Sequence, residues 1–74
     1  MAKYTDLDQA LANPTDVTEL DLRGNEELES LPVEIGQLTD LTNLNLGGNN
    51  LENLPGEIRQ LTNLEYLDLS VITN

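Results

Sequence analysis

The sequence contains no cysteine, histidine, tryptophan or phenylalanine. Without cysteine, the chain cannot form disulfides, iron–sulfur clusters, cysteine-based zinc sites or a thiol nucleophile. Without histidine, it also lacks the commonest metal ligand and the usual proton acceptor at neutral pH. We therefore expect neither a cofactor nor a metal. The absence of cysteine suits a reducing compartment, so we expect a cytoplasmic location, although a removed signal peptide would leave no trace.

Positive charge is scarce as well, because 3 Lys and Arg residues stand against 14 Asp and Glu residues and the formal net charge is −11. This balance repels nucleic-acid phosphate and anionic lipid, so we expect neither nucleic acid nor a membrane as a partner. No run approaches the roughly 18 consecutive apolar residues of a membrane span. A charged partner is expected to be a protein with a basic patch.

The 74 residues suffice for one small domain, and its core must depend on leucine, which occurs 16 times. Residues 17–25 align with residues 41–49 at an offset of 24, and both Gly-Asn pairs match. From Leu28 onward the offset is 23, because the first unit has one extra residue within Glu26-Glu27. The unit is L-x-x-L-x-L-x-x-N-x-L-x-x-L-P-x-x-I-x-x-L-x-x. A fixed period of this length is typical of stacked-repeat proteins.

Each unit has two halves with different periodicities. The alternation in Leu20-Asp21-Leu22 predicts a short strand whose leucines point inward and whose middle residue points outward. Leu31, Ile35 and Leu38 follow the spacing i, i+4, i+7, which predicts a short helix or a 3₁₀ turn. Pro32 has the fixed φ that suits the first turn of such an element. The repetition therefore predicts parallel strands, one for each unit.

The unit resembles the leucine-rich repeat family over about residues 17–72. Its second half is similar to the 23-residue class of intracellular Ras-suppressor-like and bacterial members. The expected fold is α/β: a short right-handed solenoid with parallel strands on the concave side, short helices or 3₁₀ turns on the convex side and an N-terminal helical cap. The resemblance implies a non-enzymatic scaffold that binds proteins through its concave face, and we expect this face to be acidic. Asn25 and Asn49 are expected to form a structural ladder that ties one coil to the next.

The capping helix is predicted to occupy residues 1–16, with Thr5 as its N-cap residue. Leu7, Ala10 and Leu11 form an apolar stripe suited to covering the first strand. The remaining residues, 17–74, make about two and a half repeats, divided as 17–40, 41–63 and an incomplete 64–74.

The outward-pointing strand residues define the expected partner-binding face. Tyr66 is the best single contact candidate, because aromatic residues are enriched among interface hot spots. Its alternative role is to cover neighbouring strand residues and contribute only β-propensity. The full predicted contact set is Glu19, Asp21, Arg23, Asn43, Asn45, Tyr66 and Asp68.

A catalytic or metal-binding use of the same face is a weaker hypothesis. Neighbouring strands about 4.8 Å apart would place Asp21 and Asp68 roughly 9.6 Å apart, with Asn45 between them. A flat sheet desolvates carboxylates little, and Ca²⁺ needs six or more oxygen ligands. We therefore expect no enzyme, and a hydrolase that uses Asp21 and Asp68 is kept only as a hypothesis to test.

The last strand suggests a function of a different class. If no cap follows it, its open edge and its apolar side chains could pair two copies of the chain. The chain would then be an assembly module, or a fragment or designed piece of a longer repeat protein. The residues predicted for self-association are Leu64, Leu67, Leu69, Val71 and Ile72.

Overall fold

The computed structural model describes residues 2–24, 30–49 and 54–68. Its four strands form one parallel sheet in chain order. The elements are β1 (Ala2–Tyr4), α1 (Leu7–Ala12), η1 (Pro14–Asp16), β2 (Val17–Asp21), η2 (Val33–Gln37), β3 (Asn43–Asn45), η3 (Gly56–Gln60) and β4 (Tyr66–Asp68), where η denotes a 3₁₀ segment. The parallel sheet with short 3₁₀ segments confirms the predicted fold class. In the part of the chain that is described, no helix has the length and apolar character to cross a membrane.

The repeat leucines form the core between the sheet and the 3₁₀ segments. Leu20 and Leu44 occupy equivalent positions in β2 and β3, pair in register, and are 1% and 0% exposed. Burial of such side chains is the main favourable contribution to folding, at about 25 cal/mol per Å² of apolar surface. The buried apolar residues are Ala10, Val17, Leu20, Leu22, Leu31, Ile35, Leu38, Leu41, Leu44, Leu46 and Leu61.

The two prolines of the repeats precede the 3₁₀ segments rather than lying in their first turns. Pro32 and Pro55 have ψ values of 158° and 152°, which are extended. Their carbonyl oxygens accept hydrogen bonds of 3.1 Å from the N–H groups of Ile35 and Ile58. The prediction that put Pro32 in the first helical turn is therefore wrong, because this proline is the residue before the segment and its carbonyl closes the first i to i+3 bond.

The N-terminal residues also differ from the prediction, because Ala2–Tyr4 is a strand that pairs with β2. Helix α1 begins at Leu7, and its N-cap residue is Asp6 rather than Thr5. The Asp6 carboxylate accepts the N–H groups of Asp8 and Gln9 at 2.8 and 3.4 Å, so it satisfies two donors at the start of the helix.

The apolar stripe of α1 packs against the core at the β1 end of the structure. Ala10 is completely buried, and Leu7 and Leu11 are partly buried against the core. Tyr4 packs beside them, and its hydroxyl donates a 2.8 Å hydrogen bond to Asp16 Oδ2. Helix α1 thus adds apolar side chains to the core at this end, and its role as a cap stays a prediction.

Asn49 joins two coils from within the core. It is 2% exposed, and its Nδ2 group donates to the carbonyl oxygens of Leu22 and Leu46 at 2.9 and 3.0 Å. Since Leu22 belongs to the preceding repeat, a single amide satisfies carbonyls of two coils. Asn25, the other predicted member of this ladder, lies outside the described residues.

A second ladder, formed by threonine hydroxyls, was not predicted. Thr42 Oγ1 donates to the Thr18 carbonyl at 3.0 Å, and Thr18 Oγ1 donates to the Ala2 carbonyl at 3.2 Å. The two threonines are 24 residues apart, so the repeat alignment contains the signal for this ladder. It ties β1, which lies outside the repeats, to β2.

The predicted self-association residues fall into two groups. Leu64 packs partly buried against the core, whereas Leu67 of β4 is 38% exposed. Leu67 pairs in register with Leu44, which is completely buried, so the exposure results from its position in the last strand of the sheet order. Leu69, Val71 and Ile72 lie outside the described residues.

Candidate functional site on the sheet face

The strands present two rows of side chains on the side of the sheet away from the core. Glu19, Asn43 and Tyr66 are aligned by the register of β2, β3 and β4. Asp21, Asn45 and Asp68 are aligned in the same way two residues later. We call this surface the sheet face, formed by Lys3, Glu19, Asp21, Arg23, Asn43, Asn45, Tyr66 and Asp68.

Lys3 is the member of the sheet face that the sequence pattern did not reveal. Strand β1 places it beside Glu19, at the start of the first row. Its ammonium group lies 3.8 Å from Asp21 Oδ2, and its side chain is 54% exposed. A strand of three residues that precedes the repeats has no recognisable period, so only the structure reveals this position.

A shallow depression of about 180 Å³ lies in the sheet face. Ligand pockets for small molecules are usually larger, at about 300–1,000 Å³. The depression therefore suits one side chain of a protein partner better than a separate small ligand. Its lining consists of Lys3, Glu19, Leu20, Asp21, Arg23, Asn43, Asn45 and Tyr66.

Asp21 is the centre of an ion-pair cluster on the sheet face. Its Oδ1 atom accepts hydrogen bonds from Arg23 Nε at 3.0 Å and from the Arg23 backbone N–H at 3.1 Å. The Arg23 hydrogen bond is the main reason why the pKa of Asp21 is lowered, with a further contribution from the charge of Lys3. The Asp21 side chain is 17% exposed, whereas that of Arg23 is 63% exposed.

Asp21 and Asn45 also perform the same backbone task in successive repeats. The Gly47 N–H donates to Asn45 Oδ1 at 3.1 Å, just as the Arg23 N–H donates to Asp21. Both side chains therefore close the turn that follows their strand. These two predicted contact residues thus have a structural role in addition to the predicted one.

Tyr66 lies half exposed at the β4 end of the first row. It is 50% exposed, and its hydroxyl donates a 3.3 Å hydrogen bond to Asp68 Oδ2. The ring thus offers an apolar surface next to the depression, while its polar end is already hydrogen-bonded. This geometry suits an anchoring contact with a partner.

The sheet face gives no support to catalysis by Asp21 and Asp68. A general acid needs a raised carboxyl pKa, but the pKa of Asp21 is lowered and both its oxygens face cations or donors. Among residues 2–24, 30–49 and 54–68, no three acidic side chains come together in a way that could hold a metal ion.

The sheet face carries both signs of charge. Lys3 and Arg23 are two of the three cationic residues of the chain, and the third, Arg59, lies in η3. Glu19 and Asp68 add negative charge beside the paired carboxylate. The predicted contact set already contained Arg23, so the position of Lys3 beside the same carboxylate is the main unpredicted feature of the site.

Comparisons with known proteins agree with the repeat pattern. The sequence pattern of the leucine rich repeat family matches residues 15–71. A solved leucine-rich repeat protein from Leptospira interrogans is 38% identical, with a TM-score of 0.65 over 95% of this chain and 24% of that chain. This chain thus spans about a quarter of that protein, and a search of curated proteins gave no match. Domains of this kind are commonly protein-interaction modules, and the chain belongs to the leucine-rich repeat family.

Proposed function

We propose that the chain binds a protein partner through the sheet face and is not an enzyme. The observation that carries this proposal is the half-exposed ring of Tyr66 beside a depression lined by charged and amide side chains. Interface hot spots combine an aromatic anchor with surrounding polar groups in this way. The other contact residues are those of the predicted set, joined by Lys3.

The proposed partner has a basic surface around the contact. The net charge of −11 attracts a basic protein at long range, and Glu19 and Asp68 continue that charge onto the sheet face. The N-terminal cap of residues 1–16, the repeats of 17–74 and the cytoplasmic location stay predictions from the sequence.

The test uses peptides, because it then requires no knowledge of the natural partner. Peptides that bind the immobilised chain are selected from a displayed library of random peptides of about 12 residues. The selected peptides are then labelled, and their affinities are measured by fluorescence anisotropy. We expect Tyr66→Ala to weaken binding about tenfold or more, because removal of a hot-spot side chain costs more than about 1.4 kcal/mol. Glu19→Lys should also weaken the binding of peptides that are rich in Lys and Arg.

Val33→Ala is the matched control for Tyr66→Ala. Val33 is 57% exposed but lies in η2, outside the sheet face, so its removal should leave the affinity unchanged. Circular dichroism of each variant establishes that it is folded. Equal losses in both variants, or no loss in Tyr66→Ala, would discard the sheet face as the binding surface.

Homodimerisation through β4 is a second candidate function, and the exposure of Leu67 favours it. An exposed apolar side chain on an edge strand can pair with a second copy. Light scattering from about 5 μM to about 1 mM, a range that spans weak self-association, tests this candidate. A rising molar mass that Leu67→Lys abolishes would support dimerisation, whereas a constant monomer mass would end it.

A further inference from the structure

The polar groups that line the depression differ in whether they are already hydrogen-bonded or paired within the chain. Both oxygens of Asp21 are engaged, since Oδ1 accepts two N–H groups of Arg23 and Oδ2 faces the Lys3 ammonium. The Oδ1 atom of Asn45 is engaged by the N–H of Gly47. The acceptors at this end of the depression thus already face donors or a cation of the chain.

What remains at this end is a set of hydrogen-bond donors. Arg23 uses Nε for Asp21, so the two Nη groups of its guanidinium are left for another acceptor. Lys3 and Asn45, whose ammonium and Nδ2 groups are donors, line the same depression. Since Lys3 and Arg23 are 54% and 63% exposed, a partner can reach both cations.

We propose that the partner places a single carboxylate, from an Asp or Glu side chain, between Lys3 and Arg23. This inference rests on the proposed function and names the anchoring group of that partner. Lys3 lies 3.8 Å from Asp21 Oδ2 and Arg23 Nε lies 3.0 Å from Asp21 Oδ1, so both cations are gathered at one carboxylate. A second carboxylate above Asp21 completes an alternating arrangement of two cations and two anions, with the fixed guanidinium as its main donor.

The charge of the whole chain limits which acidic partners fit. A chain of net charge −11 repels a strongly acidic protein before contact. A purely basic partner, on the other hand, would bring like charge against Lys3 and Arg23. The occupant that satisfies both conditions is a segment with one acidic residue among basic residues, whose cations meet Glu19 and Asp68.

The test is a double-mutant cycle with labelled peptides selected on the wild-type chain. We expect the selected peptides to share one Asp or Glu that is flanked by Lys or Arg. Replacement of this acidic residue by Asn or Gln should weaken binding about tenfold. On Lys3→Gln and Arg23→Gln, the same peptide replacement should change the affinity less than about twofold, because the carboxylate has lost its cations. Arg59→Gln removes the same charge outside the sheet face and should behave as wild type.

The outcomes separate this inference from the proposed function. If the selected peptides depend on Tyr66 but contain no acidic residue, the inference of a partner carboxylate is overturned, whereas the proposal that the sheet face binds the partner is retained. The carboxylate is also overturned if the peptide acid contributes equally to wild type and to both glutamine variants. If no selected peptide depends on Tyr66, both the proposed function of the sheet face and the carboxylate inference are overturned. Lys3→Gln removes only an exposed 3.8 Å ion pair, so it keeps the cycle interpretable even if Arg23→Gln unfolds.

Discussion

Asp21 both closes a backbone turn and holds an ion-pair cluster on the sheet face, and comparison with Asn45 separates the two roles. Asn45 closes the equivalent turn with a neutral amide oxygen, so this turn needs an acceptor but not a charge. The negative charge of Asp21 therefore acts on the side chains of Lys3 and Arg23 rather than on the backbone. A spacing pattern in the sequence places Asp21 on the surface, but it cannot reveal which cations converge on it.

This division predicts how Asp21→Asn alters the pH dependence of stability. The Arg23 hydrogen bond holds the pKa of Asp21 below its ordinary value of 3.8. A lowered pKa contributes stability that is present above the ordinary value and is lost as the pH falls through the lowered one. Asn keeps the acceptor of the turn, so we expect the variant to fold but to lose less stability than wild type between about pH 5 and pH 2.

Urea denaturation at a series of pH values in this range measures the difference. Asp40→Asn, an exposed carboxylate outside the sheet face, is the control for the loss of one negative charge. If Asp21→Asn shows the same acid-induced loss of stability as wild type, then Arg23 and Lys3 do not stabilise the fold through this carboxylate.

Strand β1 is the element that the sequence pattern predicted wrongly, as part of a capping helix. Three residues are too few to show a period, and the strand lies outside the repeats that made the rest predictable. Its position depends on non-local contacts instead. Besides the pairing with β2, the Tyr4 hydroxyl donates to Asp16, and the Ala2 carbonyl accepts from Thr18 Oγ1. Without β1, Lys3 would not reach the sheet face.

Tyr4→Phe is expected to loosen β1 without unfolding the repeats. The substitution keeps the ring against the core and removes only the hydrogen bond to Asp16. Amide hydrogen exchange at pH 7 should therefore become faster in β1 and stay unchanged in β3. Tyr66→Phe, which removes a hydroxyl from the other end of the sheet, is the control and should leave β1 exchange unaltered.

The same hydrogen bond has a signature at alkaline pH. Donation to the Asp16 carboxylate raises the pKa of Tyr4 above its ordinary value of 10.0. Its contribution to stability is therefore present below about pH 10 and is lost as the pH rises through the raised pKa. Wild type should lose this contribution on alkaline titration and Tyr4→Phe should not. Equal β1 exchange in the two proteins at pH 7 would show that the backbone pairing alone holds the strand.

The repeat period carries most of what could be predicted about the whole molecule. An offset of 23 or 24 residues predicts one strand for each unit, and the family and the parallel sheet are confirmed. The same offset places Glu19, Asn43 and Tyr66 in one row, as the register has them. The period could not predict the positions of β1 and Lys3, because these depend on contacts between the N-terminal segment and the first repeat. The binding role of the sheet face stays a prediction.

The high net charge predicts opposite effects of salt on folding and on binding. The molecule measures 33 × 21 × 19 Å. At about 10 mM salt the Debye length is about 30 Å, so all negative charges repel one another, whereas at about 1 M it is about 3 Å and only direct neighbours interact. We therefore expect NaCl to raise the melting temperature over this range, because screening relieves the repulsion of a chain with net charge −11.

Screening should at the same time weaken the binding of basic peptides, since their attraction to the chain is electrostatic. Melting curves by circular dichroism and peptide affinities by anisotropy, measured in the same buffers, test both effects. A selected peptide whose charged residues are replaced by Gln is the control, and its residual binding should depend little on salt. A melting temperature that falls with salt would mean that local pairs such as Lys3 with Asp21 outweigh the overall repulsion, and that the acidic surplus of this chain imposes no cost on its fold.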